Sequence, residues 1–591
     1  VNGFVKDLFT GETMAGISVT DSVSSKKTTT NQYGFFSLKV KIPTTLYFSS
    51  VGYQTSAFRI AQAADTSYIF EIKPAEYQLD EVEIKATKDD FQNQQIGYLS
   101  IPVERLNTIP TIFGEKDIFR ALALTPGVSI GNEGTVGLFV RGGTPDQNLI
   151  LLDEAPIYNT AHFFCIISVF NLEALKKVDM YKGILPAQYG GRVSSVIDVT
   201  MKEGNNKLRK KDHGIGLVSS NMLFDGPLSY KNRDKGSYLV SARAAYLGLA
   251  TLPLWFLYQF GNSQQYFNYL LYDINAKINY KIDDKSRLYL SFYNSYDRWD
   301  ARQKYAADSR GRLNINWGNL TGTLRYNRIL KPNLFLKSVL LFTRYQYEIG
   351  VATSPKIADK FKTTDAYSLQ SSLADLTVKT SLEYSVNPNY TIRVGVEATR
   401  HVYQPTKIET TFELDSRVLE ASNKSFRANE LGAFTEHEIA VSDALRFNAG
   451  LRLGAFSVQQ QNYSSFEPRF SANLILPKYW SIKGGVAQMR QFIHLLSTNS
   501  IGLPNDVWVP ATAAVTPQFA RQYSVGVFKN CPAKKLTLSV EGYYKSLKDQ
   551  IDYRAGSSLF ADAGKPWESL IEKGGIGRAT DYPLTTVWTR A

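Results

Sequence analysis

No run of 18 consecutive apolar residues occurs in this chain of 591. The nearest approach, Leu247 to Phe260, is interrupted by Gly, Thr, Pro and Gln and is too short to cross a bilayer as a helix. That excludes a helical membrane protein. It leaves a soluble protein or a closed β-barrel, the other structure that satisfies its backbone hydrogen bonds in lipid. Cysteine is nearly absent: Cys165 and Cys531 stand alone, without C-x-x-C or metal spacing, and read as unpaired small hydrophobes. Histidine is scarce too, and His162, His213, His401, His437 and His494 form no H-E-x-x-H or metal-spaced pair; His437 reads as a wall residue. There is no G-x-S-x-G, and Arg141-Gly142-Gly143 does not continue into a phosphate-cradling motif. No catalytic residue, metal or cofactor is therefore expected. The formal charge of +13 is scattered along the chain rather than gathered in one stripe, so nucleic acid is not an expected partner.

Aromatics are abundant at 13%, with 35 Tyr and 33 Phe, as membrane-interface girdles demand. The length exceeds the roughly 250–300 residues at which one soluble core stops growing, so several domains or one very large barrel are required. The chain opens on strand-like sequence without a charged n-region and apolar h-region, and any signal peptide is expected to have been removed. Short alternating runs punctuated by turn residues fill 1–75 and predict a small β-sandwich. After about 212 the runs lengthen. Tyr272 to Ile282 is largely apolar at even positions and polar at odd ones, and the same period of two recurs in 287–295, 320–329, 334–347, 390–403, 445–458 and 536–544. An apolar outer face with a polar inner face is the pattern of a transmembrane barrel. Tight turns at 283–286, 331–333, 387–389 and 442–443 alternate with longer connections at 297–311, 350–364, 405–424 and 491–518. The short ones are expected on the periplasmic side and the long ones outside.

Three segments carry a family resemblance. Gly3-Phe4-Val5-Lys6-Asp7 with Thr10-Gly11-Glu12, then Thr30-Asn31-Gln32-Tyr33-Gly34 with Phe36-Ser37-Leu38, then Val51-Gly52-Tyr53, resemble the carboxypeptidase regulatory-like domain, here without zinc ligands. Leu138-Phe139-Val140-Arg141-Gly142-Gly143, Leu149-Ile150-Leu151-Leu152-Asp153, Tyr181-Lys182-Gly183 and Pro186-Ala187-Gln188-Tyr189-Gly190-Gly191-Arg192 resemble the plug of TonB-dependent outer-membrane transporters. Cys165-Ile166 departs from the glycine and aromatic expected there. Phe466-Glu467-Pro468-Arg469-Phe470 and Leu503 to Pro510 are similar to the barrel of the same family. The expected architecture is an all-β membrane protein with a small α+β plug. It divides into a sandwich (1–75), a linker (76–95), a plug (96–206) and an antiparallel transmembrane β-barrel (207–591). Within the plug, helices are expected over Ile118 to Leu124 and from Asn171 through Val178. About 14 strands are visible where plugged transporters close at about 22, so the protein is expected to be longer by roughly eight strands, or its sequence misassigned near the end.

The resemblance implies active import of a ligand (an iron chelate, a cobalamin, a glycan or a peptide) across the outer membrane. The alternative is an outer-membrane structural or signalling component that moves nothing. By position and pattern Asp80, Glu81, Val82, Glu83, Ile84, Lys85, Ala86 and Thr87 look like the TonB box, a tether that adds as a strand to the periplasmic energy transducer. Outer-membrane lipid, that transducer, an external ligand, and a surface lipoprotein or larger complex are the partners implied. Ligand is expected on the plug's upper loops, 132–136 and 158–164, and on 491–508, with Tyr158, His162, Phe163 and Trp508 able to stack or hydrogen-bond; packing of the plug against the wall explains them equally well. Finally, Arg141 and Arg192 each adjoin a glycine pair, and a charge there needs a partner. Alternation turns Glu430, Glu436, Glu438 and Glu467 inward, so a plug–barrel latch between these arginines and glutamates is expected.

Overall fold

The computed structural model describes residues 1–50, 52–62, 67–75, 95–106, 115–131, 137–162, 167–229, 231, 235–246, 248, 251–260, 264–306, 309–357, 360–361, 365–412, 425–496, 507–531, 536–553, 571–573, 578–579 and 585–590. Residues 80–87, 132–136 and 163–166, which include the candidate tether, one apical loop and Phe163, lie outside them.

The first 75 residues form two small sheets. Asn2–Asp7 lies between Phe35–Ser37 and Tyr68–Ile72, and a four-stranded sheet runs Lys27–Thr29, Ser18–Asp21, Thr44–Ser49, Ser56–Ile60. Val5, Ile17, Val19, Phe36, Leu46, Phe48 and Phe70 fill the space between them. Alternation along Thr44–Ser49, buried at Thr44, Leu46 and Phe48, is what seats this strand on a one-sided core.

The plug centres on a five-stranded mixed sheet in the order Ala155–Pro156, Asn148–Leu152, Ser195–Met201, Leu175–Lys182, Tyr98–Pro102. Ile118–Ala123 is the expected helix, capped by the Asp117 carboxylate on the Phe119 N–H at 2.7 Å. The helix expected from Asn171 through Val178 is not formed. Only a 3₁₀ turn, Leu172–Ala174, precedes the strand Leu175–Lys182, which pairs on both edges with Ser195–Met201 and Tyr98–Pro102. Leu172, Leu175 and Val178 have helical spacing, but two ladders of backbone hydrogen bonds outweigh that weak local preference.

Among the described residues beyond the plug, the main element is one antiparallel sheet of 18 strands, from Lys210–Ile215 at one edge to Thr585–Arg590 at the other. Fourteen of them, from Ser219–Pro227 to Leu536–Lys548, are nine residues or longer, enough to cross a bilayer at a barrel tilt. Along Gln265–Asp283 the burial is inverted relative to a soluble protein. Asp273, Asn275, Lys277 and Asn279 are buried, whereas Ile274, Ile278, Tyr280 and Ile282 are 38–49% exposed. Exposed apolar and buried polar positions at a period of two mean that the outer medium is lipid and that something polar fills the inside. Among the described residues no helix is long and apolar enough to cross a membrane.

Two of the expected long connections are largely strand. Ser286–Ala306 pairs with Ser309–Lys331 through Lys304↔Arg310, and Leu334–Ile357 runs on through 350–357. These hairpins project beyond the bilayer instead of breaking into loops, because continued pairing satisfies the backbone that a loop would leave to water. A third, 491–518, folds back inward: Ile493–Leu496 pairs with Val507–Pro510, and Leu496, Val507, Trp508 and Val509 are buried in a core of lumen aromatics that includes Trp317, Tyr345, Tyr403 and Phe456.

Candidate functional site

The plug fills the barrel lumen, so the functional surface is the interface between them. The glycine pairs divide their work. Gly142 and Gly191 take φ of 72°, which L-residues avoid. Gly143 and Gly190 instead give room: a Cβ on Gly190 would stand 2.0 Å from the Arg452 Nε, so its absence lets this wall arginine lie over the plug backbone.

The expected latch is not built as the sequence suggested. Arg141 meets Glu541 at 2.7 Å, donates to the Ser524 hydroxyl at 3.0 Å and lies over the Tyr543 ring, touching none of the four glutamates. Arg192 donates to the carbonyl of Gly191 at 2.7 Å and stacks over Trp508, 5.3 Å from the ring centroid, without an ion pair. The glutamates are taken by the wall itself. Glu467 accepts from Arg469, two positions along its own strand, at 2.8 Å; Glu438 pairs with Arg393 at 2.5 Å. Glu430 lies 3.4 Å from His401, and Glu436 accepts from the Asn448 amide at 2.8 Å. Basic side chains on the same inward face of the wall thus meet Glu467, Glu438 and Glu430, and a neutral amide meets Glu436.

The polarity is largely the reverse of the one expected, with wall cations holding plug acceptors. Arg469, anchored by Glu467, donates to the carbonyls of Leu185, Pro186 and Tyr189 at 3.3, 2.6 and 2.7 Å. The plug turn Asp153-Glu154, with φ of 46° and 76°, is gripped by Lys277 on Asp153 at 2.7 Å and by Lys337 and Arg325 on Glu154 at 3.1 and 3.7 Å. Burial alone would raise both carboxyl pKa values, but Lys277 and Lys337 outweigh it and hold them below the usual range. Neutral hydrogen bonds complete the grip. The Asn319 amide donates to the carbonyl of Asn159 at 2.8 Å, and the Thr343 hydroxyl to that of Pro156 at 2.8 Å.

Of the ligand candidates, His162 sits between two wall carboxylates, Asp273 at 2.7 Å and Asp297 at 2.5 Å. Burial pulls its pKa down, but the two acids prevail and raise it to about 9. Tyr158 donates to Asp375 and meets the edge of Trp508 at 5.1 Å. All three described candidates thus pack between plug, wall and the inward hairpin. His437 is a wall residue, bonded to Tyr390 at 2.8 Å and Thr435 at 3.0 Å. Asp153, Glu154, Asp273, Asp297, Lys277 and Arg469 were not singled out by sequence reasoning. The wall residues among them carried a usable signal, since each is a charge at an inward position of an alternating strand.

The sandwich docks at the short-turn end. Tyr33 and Phe35 stack on Phe335 of the wall at 5.8 and 5.3 Å, and the Tyr33 hydroxyl donates to Glu154 at 3.2 Å. Between sandwich, plug and wall lies a vestibule of about 2450 Å³. Ala75 and Gln95, the described residues on either side of 76–94, both line it. Among the described residues no group of three or more His, Cys, Asp or Glu is arranged to hold a metal.

Three family models match in chain order: a CarboxypepD_reg-like domain over residues 1–84, a TonB-dependent Receptor Plug Domain over 111–196, and a TonB dependent receptor-like beta-barrel over 237–587. No curated protein matches the chain. Among solved structures it is similar to the siderophore receptor PirA from Pseudomonas aeruginosa, at 14% identity and TM-score 0.53, covering 80% of this chain and 78% of that one. The Serratia marcescens hemophore receptor HasR, solved with its hemophore and heme, aligns at 11% identity and TM-score 0.51 over 79% and 74% of the two chains. The copper transporter OprC aligns at 13% and 0.54 over 77% and 72%. At these identities the likeness is one of fold.

Proposed function

Because the chain belongs to the TonB-dependent receptor family, transporters of the Gram-negative outer membrane rather than enzymes, we propose that it imports an external ligand by energised remodelling of its plug. The observation that carries this reading is the chemistry of the plug's seat. Beside apolar contacts with the wall, Lys277, Lys337 and Arg469 hold it by discrete ion pairs and hydrogen bonds that can be exchanged one at a time for water or ligand. Ala75 and Gln95, on either side of 76–94, line the vestibule beside the short turns, which supports a tether within reach of a periplasmic transducer. The candidate box, 80–87, adds as a strand to that partner and transmits its pull. Metal chelates head the ligand classes, since the similar structures are named for a siderophore, heme and copper; a cobalamin, glycan or peptide fits the same fold. The test is uptake of a panel of labelled ferric siderophores, haem and cobalamin by cells carrying the full chain or a chain lacking 80–87. Import of at least one ligand, abolished by the deletion, is the expected result; import that survives the deletion overturns the reading.

A further inference from the structure

Buried polar atoms without a partner occur at several places on the plug and wall, and in one sector they gather on adjoining residues. On the strands Trp480–Gln491, Gln518–Cys531 and Leu536–Lys548 the inward row includes Gln491, Gln518, Gln522, Ser524 and Lys545. Register sets Gln491 opposite Gln518 and Gln522 opposite Lys545, with the apolar rung of Met489, Ala520 and Leu547 between them, packed against the plug. The plug answers with Asp146, Gln147 and Arg141. Gln147 donates to Gln518 at 3.0 Å, Gln518 and Gln491 both donate to Asp146 at 3.2 Å, and the Gln522 side chain lies against the plug backbone at Gly183.

Elsewhere Lys277, Lys337 and Arg469 each have a plug acceptor. Here the Nζ of Lys545, the Oε1 atoms of Gln522, Gln491 and Gln147, and the Nε2 of His494 have no protein partner, although each of these residues is at most 1% exposed. A sealed interface does not leave five donors and acceptors unmatched in one place, since each is costly to bury. A surface along which a hydrogen-bonding solute slides does, because groups that are locked to one partner cannot serve the next.

We propose that this sector is the translocation seam: the plug parts from the wall here, and a hydrogen-bonding ligand carrying an anionic group passes along the row. The charge follows from the cations. Among the described residues Lys545, midway along the row, and Arg192, beside Trp508 at its outer end, have no ion pair, two cations against the single carboxylate of Asp146, while Arg141 is paired with Glu541. The inference deepens the import reading and names where the ligand moves.

The test needs neither a known ligand nor an energised partner. In the full-length protein with Cys165 and Cys531 replaced by Ser, single cysteines are placed at Gln522 and Gln147 in the seam. Controls go at Ser241 and Thr343, which are equally buried against the plug but hydrogen-bonded to it. Each variant, at wild-type level in outer membranes, is treated with two methanethiosulfonate reagents, one anionic and one cationic. Both seam positions are expected to label while the controls stay unlabelled. At Gln522→Cys the anionic reagent should react on the order of tenfold faster than the cationic one, and Lys545→Gln should remove that preference. Seam cysteines no more reactive than the controls would overturn the seam. Labelling with no charge preference, or with the cationic one favoured, would overturn the anionic ligand. If the seam labels as expected while uptake survives deletion of 80–87, the energised import reading fails alone.

Discussion

Arg469 shows how much of the plug's seat rests on single side chains. Its guanidinium is 4% exposed, satisfies three plug carbonyls and is oriented by Glu467. Arg469→Ala strands the Glu467 carboxylate and all three carbonyls, which should weaken plug seating by about 3 kcal/mol. Urea-induced exposure of the plug to protease would report this as an earlier midpoint, with Arg469→Lys intermediate because it cannot reproduce the fork. His162 makes a pH prediction. Its folded pKa, raised to about 9, exceeds the unfolded value of 6.5, so the imidazolium's contacts with Asp273 and Asp297 contribute fully below pH 6.5 and are lost as pH climbs through 9. Protease release of the plug should therefore rise between pH 7 and 10 in the native protein. In His162→Gln it should be easier throughout, with a flatter profile over that window. An identical profile in both would show that the histidine's charge holds nothing.

At the level of elements, pairing decides form more than local preference does. The stretch 171–178 reads helical by the spacing of Leu172, Leu175 and Val178, and from Leu175 onward it is strand because two neighbours offer it hydrogen bonds. The connection 491–518 reads as an outer loop and turns inward because Leu496, Val507 and Val509 gain an aromatic lumen to pack against. For the tether, strand addition requires free backbone donors along 80–87, so Val82→Pro and Ile84→Pro should each end ligand uptake while leaving the barrel folded. Heat-modifiable migration of the detergent-solubilised protein checks the fold, and uptake checks the function. Normal uptake in both variants would remove the assignment of this segment.

On the scale of the molecule, the inversion of burial sets orientation and medium together. The sandwich docks by Tyr33 and Phe35 on Phe335, beside the turn at 331–334, so the short turns share the side on which the tether and its partner must lie. A cysteine at Asn389 should accordingly resist an impermeant maleimide on intact cells, while one at Tyr305, on a projecting hairpin and 63% exposed, should label. The reverse pattern would invert the topology. Period-two alternation and turn chemistry already specified a barrel and a sandwich from the sequence alone, because each is a local regularity that the backbone's own geometry reads, whereas the plug was legible only through its family resemblance. Glu467 was legible as an inward residue, yet whether it met a plug arginine or Arg469 depended on which neighbour lay on the same face. Only the tertiary structure decided those pairings, the inward hairpin and the unmatched row at Gln522 and Lys545. Electrostatic and packing partners are chosen by proximity in space, and sequence separations such as the 400 positions between Arg141 and Glu541 carry no trace of it.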